Sequence, residues 1–379
     1  MKVAFFQPYL ANWRIEFLER FIAESPHQII VYDGGFSPKK DTKSISGNQT
    51  AFPVQRLRSW SPEFVFRGQK YPFYFSPFLF FSLLKNRPDC VITEGEINFI
   101  NNISVLVYCL IFRKKYIWWS LGKVRTRKKN IVNRILDPVV DSLLRRAACI
   151  MARNSYAKSY YQDEKRISGS KIIVAPNSMD EVRAYADLSA KRDELLAAKN
   201  GEKSIIYVGA LTAEKRPADL LEAFRFIVDQ GRTDVQLWFV GDGPERQHLE
   251  KMVASLNLGN RVKFWGKIFK GVGDYFAAAD VVAVPGLGGL VINHAMIFSK
   301  PVVSRLADGT ELDLIQQGVN GYVLDDYDNE ALAGALLKVI DSPHYESMCS
   351  ASREIVDQSW NMRLMIARVH ECIALATTK

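Results

Sequence analysis

Histidine and cysteine are scarce in this 379-residue chain, with five of each. The cysteines, Cys90, Cys109, Cys149, Cys349 and Cys372, fall into no CxxC or Cys/His spacing. Metal sites and disulfide scaffolds both need denser clustering, so the thiols read as reduced core residues of a cytosolic protein and no metal is expected. Long apolar runs are missing too. The longest, residues 71–84 and 103–112, fall short of the ~20 residues that span a bilayer. The amino terminus, MKVAFFQPYL, has too short an apolar run and no small-residue cleavage site, so no signal peptide is read there. No short internal repeat or low-complexity segment appears. The first predicted strand also lacks the glycines that a dinucleotide fold needs for pyrophosphate to approach the backbone. It runs instead into Gln7-Pro8-Tyr9-Leu10-Ala11-Asn12-Trp13-Arg14, which excludes a nicotinamide or flavin site of that kind.

What is present is ordinary soluble composition, 48% hydrophobic and 24% charged, in a length that suits about two domains. Charge is unevenly placed. Residues 1–180 hold 28 Lys and Arg against 14 Asp and Glu, and residues 181–379 hold 22 against 27. The excess peaks over residues 113–134, with Lys114, Lys115, Lys123, Arg125, Arg127, Lys128 and Lys129. Such a cluster suits a phosphate-rich or anionic-lipid surface, at ~1 kcal/mol per basic residue near a membrane. A solvated helix face or loop is the plainer reading. No nucleic-acid motif accompanies the charge, so nucleic acid is not expected as a partner.

Short apolar runs alternate with helical stretches. Strands are predicted at 3–6, 29–32, 90–93, 116–119, 149–152 and 172–174, then at 205–208, 235–240, 262–265, 281–284, 302–304 and 322–324. Helices are predicted at 15–23 and 131–146, then at 218–230, 244–256, 290–298 and 330–340. Continuous apolar strands between helices imply parallel sheets covered on both faces, here an α/β chain of two doubly wound domains. Residues 1–175 form the first and 176–358 the second, with a terminal helix over 359–379. The polar stretch 179–203 is read as separating the halves. Ligands in such sheets bind beyond the carboxyl ends of the strands, so the loops there carry the candidates.

In the first half, Tyr9, Asn12, Trp13 and Arg14 offer an aromatic and polar rim suited to a sugar or another polar acceptor. Gly122, in Ser120-Leu121-Gly122-Lys123, occupies the same kind of loop position. Glu94 and Glu96 follow the strand at 90–93, where a carboxylate can accept a proton from an acceptor hydroxyl; Glu96 could equally serve as a helix N-terminal charge partner. In the second half, Gly209-Ala210-Leu211-Thr212-Ala213-Glu214-Lys215-Arg216 leads into a helix starting near Pro217. Cations just before a helix N-terminus oppose its dipole unless an anion binds there. Gly241-Asp242-Gly243 makes a tight turn that its own geometry explains. Pro285-Gly286-Leu287-Gly288-Gly289 opens backbone N–H groups at a helix start, a cradle for phosphate oxygens or sugar hydroxyls.

These segments, residues 209–221, 240–245, 263–266 and 285–303, together resemble the nucleotide-sugar domain of family-4-type retaining glycosyltransferases of the GT-B fold. The resemblance is strong over about 203–325 and loose over the first 170 residues. It implies two Rossmann-like domains facing across a cleft, with a final helix crossing back toward the first. It implies that Lys215 binds the donor diphosphate and acts in catalysis. Gly209, Ala210, Arg216, Gly241, Gly243, Gly266, Gly286, Gly288, Gly289, Leu290 and His294 fall on the donor side. Ala210 stands where the family usually has arginine, with Arg216 a candidate substitute. Gly286 and His294 stand where it has paired glutamates, as in a variant pattern PGxxGLxxxHA that puts His294 near the donor ribose. Glu311 matches a common acidic position.

The implied function is sugar transfer from a nucleoside-diphosphate sugar to a glycan or lipid-linked glycan, retaining and without metal or cofactor. The expected location is the cytoplasm, on the inner face of the plasma membrane where the basic cluster docks. The residues leave two alternatives: a non-catalytic sugar-nucleotide-binding protein, and a nucleotide-sugar epimerase of the same fold.

Overall fold

The computed structural model describes residues 1–35, 50–60, 63–66, 69–72, 74–95, 98–124 and 131–378. The chain divides into two compact units. One comprises Met1–Lys123, Arg127–Pro176 and Arg363–Lys379; the other comprises Asn177–Met362 with Val124–Thr126.

The first unit is built on seven strands: β1 (Lys2–Gln7), β2 (Gln28–Asp33), β3 (Val54–Arg56), β6 (Cys90–Glu94), β7 (Lys115–Ser120), β8 (Cys149–Ala152) and β9 (Ile172–Val174). A short antiparallel pair, β4 (Glu63–Phe66) and β5 (Gln69–Pro72), stands outside that sheet. The sheet order is β3-β2-β1-β6-β7-β8-β9, and every pairing is parallel. Side chains alternate between its faces as a pleated strand requires. Ala4, Phe6, Val91, Tyr116, Trp118 and Ile150 enter one buried cluster with Leu83, Val105 and Tyr108. The intervening residues Phe5 and Trp119 meet Phe17 of helix Asn12–Glu24, with ring centroids 6.1 and 5.8 Å away. Phe21 of that helix meets His370 of the terminal helix Met362–Thr377 at 5.1 Å.

The second unit holds β10 (Lys203–Val208), β11 (Val235–Val240), β12 (Val262–Gly266), β13 (Val281–Val284), β14 (Val302–Arg305) and β15 (Gly321–Leu324). Their order is β12-β11-β10-β13-β14-β15, again all parallel. Ile205, Tyr207, Leu237, Phe239 and Val281 pack toward helices Pro217–Asp229 and Asn329–Ile340. Ile206, Trp238, Val240, Val282 and Val284 pack toward Val272–Ala278 and Gly289–Ile297. Both faces are covered, which is why these strands read as unbroken apolar runs.

The polar stretch 179–203 is not a separator. It forms helices Glu181–Ala186 and Lys191–Ala198 and belongs to the second unit. Asp180 caps the first helix by accepting from Val182 N at 3.1 Å. Ser189 donates to Asp274 through its backbone N and its Oγ, at 2.9 and 2.8 Å. Leu195 is buried in the core. A single apolar anchor amid charged residues gave no periodic signal to read.

Candidate functional site

In each sheet the strand order reverses once, between β1 and β6 and between β10 and β13. The loops leaving the carboxyl ends of such a strand pair diverge and leave a crevice. Most of the sequence candidates lie on these loops.

In the second unit the loop after β10 is buttressed by the loop after β11. Leu211 N donates to Asp242 O, and Glu245 N donates to Leu211 O, both at 3.0 Å. A Cβ on Gly241 would lie 1.8 Å from Gly209 O, and one on Gly243 would lie 2.3 Å from Leu211 O. Close backbone approach therefore explains both glycines. Gly266, with φ +72°, accepts from Gly241 N at 2.8 Å and extends the same support.

The loops after β10 and β13 meet directly. Lys215 Nζ donates to the carbonyl of Leu287 at 3.0 Å. A Cβ on Gly286 would fall 2.8 Å from Glu214 O and 2.9 Å from Lys215 C, and one on Gly209 would sit 3.4 Å from Lys215 Nζ. A glutamate at 286 has no room because this backbone lies against 214–215. Gly288 precedes helix Gly289–Ile297, and no side chain caps the first turn. Gly289 faces Thr310, whose side chain would be 3.1 Å from an added Cβ. The uncapped N–H groups of that turn and the Lys215 ammonium thus border one part of the crevice, a pairing suited to an anion. Ala210 is exposed, and its carbonyl accepts from Tyr207 Oη at 2.8 Å. Leu290 is half-buried in the same first turn.

Three residues have surroundings that sequence alone did not show. Arg216 has φ +54° and turns the chain into Pro217. Its guanidinium binds Asp219 at 2.6 Å and stacks 4.0 Å over Tyr327. His294 lies between Phe276 and Phe298, with ring centroids at 4.8 and 5.6 Å. Burial pulls its pKa down to about 4, so the imidazole is neutral near pH 7. Glu311 is fully buried and accepts from Gly309 N at 2.8 Å. Burial, and then the charge of Asp308, push its carboxyl up to about 7.

In the first unit a second group of residues gathers at the carboxyl edge of β1, β6, β7 and β8. Arg14 is not on a rim: it is 1% exposed, its guanidinium 3.8 Å from the Trp119 ring centroid and 4.2 Å from that of Trp13. Arg153, just past β8, forms an ion pair with Glu94, just at the end of β6, and lies 5.6 Å from the same Trp119 ring. The Tyr9 hydroxyl has its pKa raised by burial and then by Glu94; Tyr74 is raised by burial, then by Tyr9 and Glu94. Asn102 Nδ2 donates to Glu94 O at 2.9 Å and Asn101 Nδ2 to Tyr74 O at 2.8 Å, which fixes both backbones. Gly95 has no room for a side chain, because its Cβ would meet Trp118 Nε1 at 2.3 Å. Gly122 makes a turn at φ +70° packed on Ala157 and Tyr160. Asn12 begins helix Asn12–Glu24, while Glu96, Arg125, Arg127, Lys128 and Lys129 lie outside the described residues. Sequence reasoning missed Arg153, Trp119 and Tyr74; for Arg153 the available signal was its place one residue beyond a predicted strand.

Among the described residues no cluster of metal-ligating side chains occurs, and no helix is long and apolar enough to cross a membrane.

Residues 190–354 match the family profile "Glycosyl transferases group 1". The alpha-D-kanosaminyltransferase of Streptomyces kanamyceticus is 25% identical over 223 residues, 56% of this chain and 57% of that one. The GDP-mannose-dependent alpha-mannosyltransferase of Corynebacterium glutamicum is 31% identical over 173 residues, 42% and 38% of the two chains. The matches thus span about half the length of these curated relatives. Among solved structures, Anabaena HepE in complex with UDP superposes with a TM-score of 0.77 at 20% identity, covering 99% of this chain and 100% of that one. Together with the two all-parallel sheets, the structural likeness identifies the chain as having the GT-B fold, and residues 190–354 resemble the glycosyl transferases group 1 family.

Proposed function

We propose that this protein is a retaining glycosyltransferase that moves a hexose from a nucleoside-diphosphate sugar to a hydroxyl of a glycan or polyprenyl-diphosphate-linked glycan, in assembly of a bacterial-type surface polysaccharide. The observation that carries this is the meeting of Lys215 with the glycine loop at Leu287. The difficulty in such a transfer is negative charge growing on the departing diphosphate. A fixed ammonium and the N–H groups of a helix start that no side chain caps offset that charge without reorganising. They also supply what a metal ion would supply, so the reading is metal-independent. His294, neutral and half-buried, suits a ribose hydroxyl, to which it can both donate and accept. The first unit is assigned the acceptor, with Glu94 as the carboxylate that would take the proton of the attacking hydroxyl. HepE, solved with UDP-glucose, makes a uridine donor the first to try. A thermal-shift screen of nucleotide sugars is the test, since a ligand of the native state raises its melting temperature. One nucleotide sugar should stabilise the chain and be turned over. If none stabilises it, the reading fails.

A non-catalytic sugar-nucleotide-binding protein is favoured by one observation, the absence of carboxylates at Gly286 and His294. Binding without turnover of any donor would select it, and interconversion of free donors would select an epimerase.

The reading places the protein in the cytoplasm at a membrane surface. Helix Phe99–Phe112 supports this: Ile103, Val107, Leu110 and Ile111 are exposed on one face, Leu110 by 65%. Exposed Arg113 and Lys115 follow directly, and exposed Lys85 and Arg87 end the neighbouring helix Leu79–Asn86. An apolar stripe beside basic residues fits an anionic bilayer. Co-sedimentation with vesicles should rise with anionic lipid and fall with salt; indifference to both would exclude it.

A further inference from the structure

Among the described residues, the first unit's sheet edge gathers two guanidiniums around one carboxylate. Arg14 and Arg153 come from opposite ends of the unit's sequence, yet both guanidiniums lie against the Trp119 ring, at 3.8 and 5.6 Å. Arg153 is only 16% exposed and Arg14 1%. Glu94 is the carboxylate that both feel, and it is bound to Arg153. Two like charges taken out of water repel each other, and desolvation makes each more costly. Burial first, and then Arg153, hold the Arg14 pKa well below its usual value. A second anion beside the pair would reverse both effects. The surroundings are shaped for one attached to something larger. The edge lies at the switch point between β1 and β6, and Tyr9 and Tyr74 bring hydroxyls to the same place as Glu94. Guanidinium groups bind carboxylate and phosphate in a two-pronged geometry, and aromatic rings pack against sugar faces and cations alike.

We infer that the acceptor of this enzyme is anionic: a carboxylate or phosphate on it is held by Arg14 and Arg153 at the carboxyl edge of the first sheet. The inference rests on the transferase reading in so far as it makes the first unit the acceptor side. Glu94 then has two tasks, orienting Arg153 and facing the acceptor hydroxyl. The Trp13–Arg14–Trp119 stack keeps one guanidinium rigid, so little rotamer freedom is lost when the anion arrives.

The test uses the full chain and four probes in parallel calorimetric titrations: glucuronate, glucose 6-phosphate, glucose and UDP. The expected result is binding of at least one anionic sugar, with glucose about tenfold weaker or undetectable. Glucuronate alone binding would assign a carboxylate, and glucose 6-phosphate alone a phosphate. Arg153→Gln should weaken the anionic sugar about tenfold or more, and Arg153→Lys, which keeps the charge without the fork, by less. Thermal melts of both variants establish that they are folded. Equal binding of glucose and the anions, no binding of either anion, or anion binding that survives Arg153→Gln would overturn the inference. So would a comparable loss of UDP affinity in Arg153→Gln, because the guanidiniums would then serve the donor. UDP that fails to bind the wild-type chain would instead remove the transferase reading itself, whatever the sugars do.

Discussion

Replacing Lys215 with methionine isolates the charge on which the proposed chemistry depends. The methionine keeps most of the alkyl stem that runs past Gly209 and removes only the ammonium. In the folded protein that ammonium donates a hydrogen bond of 3.0 Å to Leu287 O, and a bond from a charged donor is worth about 1.5–3 kcal/mol net. The variant should therefore melt only a few degrees below wild type. On the departing diphosphate the same group faces charge that is larger in the transition state than in the bound donor. Losing one preorganised donor of this kind costs about 3–4 kcal/mol of transition-state stabilisation, or 10²–10³ in kcat. Affinity for the nucleoside diphosphate should fall by less than turnover does. Initial rates with the donor selected by the stability screen, together with calorimetry of the diphosphate, separate the two effects. A folded Lys215→Met enzyme whose kcat stays within about threefold of wild type would refute the assignment of this loop.

Gly286→Ala tests the same junction from its other side: with backbone atoms 2.8–3.0 Å from the new Cβ, the 214–215 segment must move. A stability loss of about 1–3 kcal/mol and a drop in kcat should appear together, read by thermal melts and initial rates. Two buried groups set opposing pH dependences. His294 has a folded pKa of about 4, below its ordinary 6.5, so the unfolded chain binds more protons between those values and the contribution of His294 is lost as pH falls through that window. Glu311 has a folded value near 7, above 4.5, so the folded chain binds more protons and stability is lost as pH rises from 4.5 to 7. Each shift corresponds to roughly 3 kcal/mol across its window, and the two largely offset each other in wild type. Denaturant melts at pH 5 and 7 should show Glu311→Gln gaining stability with pH and His294→Phe losing it; parallel curves for both variants would mean the groups are not buried as described.

Strand positions were legible because both sheets are covered on both faces, so each central strand is an apolar run with no polar face to blur it. Val235–Val240, buried at every residue, matches its sequence reading without adjustment. The helices over 181–198 were not legible, since Leu195 is their only fully buried apolar side chain. On the donor side, local sequence carried Lys215 and the Gly288–Gly289 turn, because a strand, a short loop and a helix start are contiguous there. The partners of Arg216, Asp219 on the following helix and Tyr327 more than a hundred residues on, are visible only in three dimensions. The Arg14 environment was hidden for the same reason. Trp119 lies on β7, Glu94 ends β6 and Arg153 follows β8, and only the sheet order makes them neighbours of Arg14.

The contact between Gly286 and the 214–215 backbone also limits how this lineage can change. A carboxylate cannot enter position 286 without a shift of that backbone, since a Cβ there would lie 2.8–3.0 Å from main-chain atoms. The neighbouring segment would have to retreat first, and its retreat would carry away the ammonium that the present arrangement relies on. A carboxylate at 286 is thus a change of two segments and not of one residue.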